Sequence, residues 1–290
     1  MTCISTAVGQ PGDQKTVKRI SISEFYVQVG LLSERMEHRS LSDFKKLAPQ
    51  SVLLNKNLAD YNNFSGSVLA SNAIFSAMVG IKFSNKERTN YRANPVIRLG
   101  ISYFSGTQLL GVLGNSYRKT YDSLTSGQTG QKVYLDSVTS NLYGMYYTSD
   151  QLRLDGSIIF RTNPEARWSL FTGIGFNVGL SINSNTDIYY SKFKDTQVRN
   201  PDGSRNFSSH SSFYSEYNGK TERFRNKTTI GFSTFIPMGI DFRIGKNSEF
   251  WKRIHLFYEV RPGINIASIP ELQTITNASL QQGIGLKLSW

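Results

Sequence analysis

Leu280-Gln-Gln-Gly-Ile-Gly-Leu-Lys-Leu-Ser-Trp290 divides, by alternate residues, into two lists of opposite character. Leu280, Gln282, Ile284, Leu286, Leu288 and Trp290 form one, and Gln281, Gly283, Gly285, Lys287 and Ser289 the other. A period of two with one greasy side describes a strand. A soluble sandwich buries the greasy side. A transmembrane barrel turns it outward to lipid and points the polar side into the lumen, with the same period in sequence. The remainder of the chain decides between them.

The alternation recurs seven times upstream. Strands are expected over Glu24 to Leu32, Ala73 to Phe83, Ile97 to Tyr103, Leu152 to Arg161, Trp168 to Asn183, Ile230 to Ile244 and Ile254 to Ile266. The fifth is the clearest, with Trp168, Leu170, Ile174, Phe176, Val178, Leu180 and Ile182 against Ser169, Gly173, Gly175, Asn177 and Ser181. Eight strands follow, joined by links that alternate long and short. Long connections are expected over 34–70, from about 106 to the fourth strand, and over 184–227. A helical turn at Leu41 to Leu47, capped by Ser42, is expected in the first. Short turns fall near 85–93, 163–166 and 246–250. This alternation is that of a membrane barrel with both chain ends on the rim of the short turns. Trp168, Trp251 and Trp290 all fall on that rim, and tryptophan favours the membrane interface.

Composition agrees. The 290 residues hold 24 Gly, 15 Tyr and 18 Phe, suited to tightly packed strands. No run of about eighteen apolar residues exists, which excludes a helical span. Mean hydropathy is −0.33, compatible with strands that are only half apolar. The single cysteine, Cys3, gives no disulfide framework and no cysteine-based metal site. Ala7-Val8-Gly9-Gln10 resembles a signal-peptidase site, so residues 1–21 are expected to be a signal-peptide remnant and tail, and 22–290 the barrel domain. The net charge of +12 is scattered, with no nucleic-acid module.

The terminal strand ending in an aromatic residue resembles the C-terminal signal of bacterial outer-membrane barrels. The whole pattern resembles the small eight-stranded barrels of the OmpA, OmpX and OmpW types, with loops in the style of the Bacteroidota. The resemblance implies an all-β, closed antiparallel up-and-down transmembrane barrel in a bacterial outer membrane. It further implies as partners the membrane lipid and lipopolysaccharide phosphates, the assembly machinery that reads the last strand, and an envelope protein, with no nucleic acid and no cofactor.

The inward list contains Glu24, Lys82, Arg98, Arg153, Asp155, Arg161, Asp241, Arg243, Glu259, Arg261 and Lys287. An eight-stranded barrel is just wide enough for side chains to fill, so these are expected to interlock as ion pairs. A narrow conduit is the alternative. His255 and Glu259 share the inward face of one strand, but no serine stands beside them in sequence, and His38 and His210 lie in loops. This weighs against a lipid-modifying enzyme and against a metal site. A lipocalin-like binder would need the apolar face inside. Tyr189, Tyr190, Phe213, Tyr214 and Tyr217, among Lys192, Lys194, Arg223 and Arg225, make the long loops a candidate partner surface. The expected role is that of a non-enzymatic structural or interaction protein, including as an accessory subunit of an envelope complex.

Overall fold

The computed structural model describes residues 19–64, 66–84, 95–125, 127–128, 130–163, 166–202, 216–245 and 248–290. The wall consists of β1 (Arg19–Glu37), β3 (Ser67–Ser84), β4 (Val96–Thr125), β5 (Lys132–Arg161), β6 (Trp168–Arg199), the pair β8 (Ile230–Phe235) and β9 (Met238–Arg243), β10 (Ile254–Ser268) and β11 (Ile275–Ser289). Every pairing between them is antiparallel. β8 and β9 are one strand interrupted at Ile236-Pro237. Both halves lie between β6 and β10, so the described wall has eight strands. β11 pairs with β10 on one side and with β1 on the other, from Glu24↔Ser289 to Glu34↔Ser279, and the sheet is closed.

The faces have the polarity of a membrane barrel. Ile174, Phe176 and Val178 are 65%, 52% and 39% exposed on the outside, whereas Arg153 and Arg261 are 1% and 2% exposed inside. A face this apolar and this open to its surroundings needs hydrocarbon around it. The inside is not uniformly polar, however. Tyr26, Met78, Ile159, Phe171 and Phe257 form a buried cluster in the lumen, with Tyr26 and Phe257 packed edge to face at 5.7 Å. No helix among the described residues is long and apolar enough to cross a membrane.

Two of the expected long loops are strands. A bilayer needs only about 9–11 residues of tilted strand, yet β4 and β5 run for 30 residues each and stay paired out to Thr125↔Lys132. β6 continues to Arg199, and β7 (Glu216–Arg225) pairs along it. Toward their tips, over 115–125 and 132–141, both faces are mixed and mostly polar, so no greasy stripe marked them. Irregularities cluster where these strands pass from the wall into the extension. Gly106 has φ +156°, a conformation that side chains other than glycine's rarely adopt, and irregular pairing follows at Thr107/Leu109 and Asp150/Gln151.

The first long link is a cap. After a parallel bridge from His38 to Leu110, α1 (Leu41–Leu47) is capped by Ser40 in place of the expected Ser42: Asp43 N–H donates to Ser40 Oγ at 3.2 Å. Ser42 lies inside the helix, two residues past the capping position. The segment returns through β2 (Asn62–Asn63), paired with Leu113 and Gly114. Phe44, Leu47, Leu53 and Leu54 form a dry cluster with Leu109, Tyr143, Met145, Tyr147 and Ile188 of the long strands and with Ile269 and Ile275 at the β10–β11 link. Those partners belong to opposite sides of the ring, so the cap lies across the mouth. Glu222 of β7 holds it by accepting from Ser51 Oγ at 2.5 Å and Leu53 N–H at 3.3 Å, and Asn226 Nδ2 donates to Leu47 O at 2.7 Å.

On the opposite rim, the turns expected at 85–93, at 163–166 and at 246–250 lie wholly or partly outside the described residues. The last is completed by the one-turn helix α2 (Glu249–Lys252). Trp168 packs on Phe242 with ring centroids 4.3 Å apart, Trp251 lies in α2, and Trp290 N–H donates to Ser23 O at 3.1 Å. All three rings are exposed on this rim.

Candidate functional site: a filled lumen beneath an external sheet

Strand alternation sends every second side chain into the lumen, and the narrow ring brings them within reach of one another. Near the tryptophan rim, Glu24 of β1 accepts from Arg161 Nη1 of β5 at 2.5 Å, with Tyr26 hydrogen-bonded to both. Lys82 Nζ stands 3.5 Å from Glu24, its side chain 37% exposed at the opening. Lys287 of β11 bonds Asp241 of β9, whose other oxygen meets His255 Nδ1 at 2.7 Å. At mid-height Arg98 of β4 meets Glu259 of β10, which also accepts from Arg261. Arg261 Nη1 donates in turn to Asp155 Oδ2 at 2.8 Å.

Nearer the cap, Arg153 donates to Gln151, Asn177, Ser233 and Asn265 at 2.8–3.0 Å, and Asn265 passes a bond to Glu34 Oε1 at 2.6 Å. Ten of the eleven inward charged residues thus join three tiers of contacts that cross the lumen. Arg243 does not: its Nε is buried with no hydrogen-bond partner. Charge alone missed half of the assembly. Tyr26, Asn177, Asn265 and Gln28, which accepts from Arg261 Nη2 at 3.3 Å, are neutral, and the same parity that sorts the faces marks them. Glu34 escaped because β1 continues past the expected end of its greasy stripe.

The structure also brings Ser289 within 3.3 Å of His255 Nε2, so serine, histidine and Asp241 stand in line. Acyl transfer further needs donors aimed at a developing oxyanion. The backbone N–H groups of Ser289 and Trp290 already donate to Arg253 O and Ser23 O. Among the described residues no group of three His, Cys, Asp or Glu is placed to hold a metal.

Above the cap, Tyr189 is exposed on the outer face and packs edge to face with Tyr146 at 5.7 Å. Tyr190 is half-buried. It is turned onto the cap, 4.8 Å from the Tyr143 ring, with its hydroxyl donating to Asn141 at 2.9 Å and Lys56 above it. Phe213, Tyr214, His210 and the side chain of Tyr217 lie outside the described residues. On the lipid-side face of the extension, Asp136 is fully buried between Arg118 and Arg199, with Arg199 Nε at 2.8 Å. The hydrogen bond from Arg199 holds this carboxyl below the usual range, overcoming burial, with Thr120 and the two guanidinium charges assisting.

No protein-family model and no curated protein matches the chain. Similar solved structures include Neisserial surface protein A, 12% identical over 92% of this chain and 97% of that one at a TM-score of 0.27. Another is Ail, the attachment invasion locus protein of Yersinia pestis, 8% identical over 92% and 100% at a TM-score of 0.26. The strand pairing and face polarity above, and not these alignments, establish an eight-stranded membrane barrel.

Proposed function

We propose that this chain is a bacterial outer-membrane barrel whose wall is a sealed anchor and whose external sheet is the working part, making it an interaction protein or an accessory subunit of an envelope assembly. The observation that carries this reading is the double closure of the bore. Ion pairs and hydrogen bonds fill the lumen, and a dry cluster centred on Phe44 covers its mouth. A conduit has no use for either feature, whereas β4, β5, β6 and β7 rise far beyond what a bilayer requires. Basic side chains near the outer boundary, Lys46, Arg225 and Lys227, suit lipopolysaccharide phosphates. The alternating last strand suits recognition by the assembly machinery.

Planar-bilayer recording and hairpin replacement test the reading. The wild-type protein is expected to show no conductance steps. Replacing the β4–β5 extension by a short turn is expected to preserve membrane insertion and heat-modifiable mobility while abolishing association with the envelope partner. Steady single-channel currents from the intact protein would overturn the proposal.

A further inference from the structure

Gln282 faces outward from β11, on the lipid side of the wall. Its neighbours across the two ladders are Val260 of β10 and Leu31 of β1, and along the same face of its own strand they are Leu280 and Ile284. The apolar face continues above it. Leu280 is 42% exposed, and Ile264, opposite Ala278 one same-face step higher, is 48% exposed. The amide is therefore set within the band that lipid covers, below its outer edge. Ser33, the polar residue that follows Leu31 on the same face of β1, is bonded to Ser71 at 3.2 Å. A primary amide carries two N–H donors and a carbonyl with two lone pairs. Among the described residues the one group that bonds it is the Tyr258 hydroxyl, donating to Gln282 Oε1 at 3.3 Å. Whichever way the amide is turned, a single hydroxyl satisfies one of its two polar atoms and leaves the other to face hydrocarbon. Acyl chains give nothing in exchange for the bonds that water would make.

We infer that the β1–β10–β11 face is a contact between two copies of this chain in the plane of the membrane, with their Gln282 amides paired across a two-fold axis. The occupant follows from the chemistry of the group. An amide donates and accepts through one planar head, so the complement that meets both needs at once is a second amide turned through half a circle, the two exchanging N–H···O bonds. A two-fold axis supplies that complement without another sequence, because each copy brings what the other lacks. The carbonyl has two lone pairs, so the bond from Tyr258 and one from the second copy coexist on Oε1. Val29, Leu31, Tyr258, Leu280 and Ile284 stand exposed around Gln282, fixed on a hydrogen-bonded sheet with no loop to reorder. Apolar side chains alone give two barrels little reason to associate, since acyl chains solvate them equally well; the polar group adds the specific attraction. A lipid carbonyl could accept from Nε2, but such carbonyls lie at the headgroup boundary, beyond Leu280 and Ile264.

The test counts subunits of the full chain in phosphatidylcholine vesicles by single-molecule photobleaching, with one dye at Ser123→Cys on the external hairpin in a Cys3→Ser background. Spots that bleach in two steps are expected to accumulate and then saturate as the protein-to-lipid ratio rises. Gln282→Leu is expected to weaken association by about tenfold. Leu154→Ala, on the lipid face of β5, is expected to leave it unchanged, with heat-modifiable mobility retained in both variants. A chain that stays single at every ratio overturns the inference. So do two-step spots indifferent to Gln282→Leu, and spots that keep growing past two copies. The protein is purified, so no chain of another sequence supplies the second step. Conductance and hairpin replacement read other parts of the molecule, so this contact and the sealed-anchor reading fail separately.

Discussion

Arg98 and Glu259 face each other across the lumen, neither reached by solvent, with Nη1 2.5 Å from Oε2 and Nη2 3.2 Å from Oε1. They come from β4 and β10, opposite staves of the ring, so the pair is a strut across the bore. Two parallel charge-assisted bonds fix both planes. Arg98→Met leaves a carboxylate facing an incomplete partner set, and a loss of about 3–5 kcal/mol is expected. Arg98→Met with Glu259→Leu is expected to recover much of it. Urea unfolding in vesicles, arranged as a double-mutant cycle, measures both. An additive double variant would show that the strut contributes nothing.

Ile174 projects outward from the middle of the β6 stretch that begins at Trp168. Ile174→Arg there is expected to cost about 2–4 kcal/mol, the penalty of a cation at the bilayer midplane. The same change at Leu180, closer to the outer boundary, is expected to cost less. Folding equilibria in lipid of defined thickness check the depth dependence.

The cap is expected to loosen independently of the wall. Phe44→Ala removes a fully buried ring at the centre of its cluster, a loss of about 3–5 kcal/mol of local packing. Hydrogen exchange is expected to rise across 41–61 while β1 and β11 keep their protection. Uniform loss of protection would mean that cap and barrel fold as one unit.

Asp136 makes the extension acid-sensitive. Its carboxyl is depressed in the folded hairpin, chiefly by the hydrogen bond from Arg199, so the stabilisation is complete above the ordinary carboxylate value of about 3.9 and is lost as pH falls below it. Exchange at the tip of β4 and β5 is expected to accelerate below about pH 4 in the wild type. Asp136→Asn is expected to be looser at neutral pH and to show no such step.

The wall was legible in the sequence because lipid imposes a rule on every outward residue. Ile174, Phe176 and Val178 hold one parity through the span, and a one-residue slip would have moved them to the other face. The external sheet obeys no such rule. Water touches Tyr117 on one face and Arg118 on the other, so the alternation carries no contrast, and Asn115 to Thr125 reads as loop. The lumen was half legible: parity located Arg98 and Glu259 on one face, but only the closed ring decides which strands stand opposite. Ser289 beside His255 is a tertiary juxtaposition of neighbouring strands that no spacing could announce.

The seam between β1 and β11 joins the first and last strands of the wall, so sealing it is a loop closure over about 250 residues. The entropy of such a closure grows only with the logarithm of length, but the search is slow. Until β11 docks, two long, half-greasy edges stand open, each able to recruit a strand from any other unfinished chain. Closure of the ring therefore depends on β11 (Ile275–Ser289), which pairs with β10 on one side and β1 on the other. The wall is a tube only with that seam sealed, from Glu34↔Ser279 down to the bond from Trp290 N–H to Ser23 O.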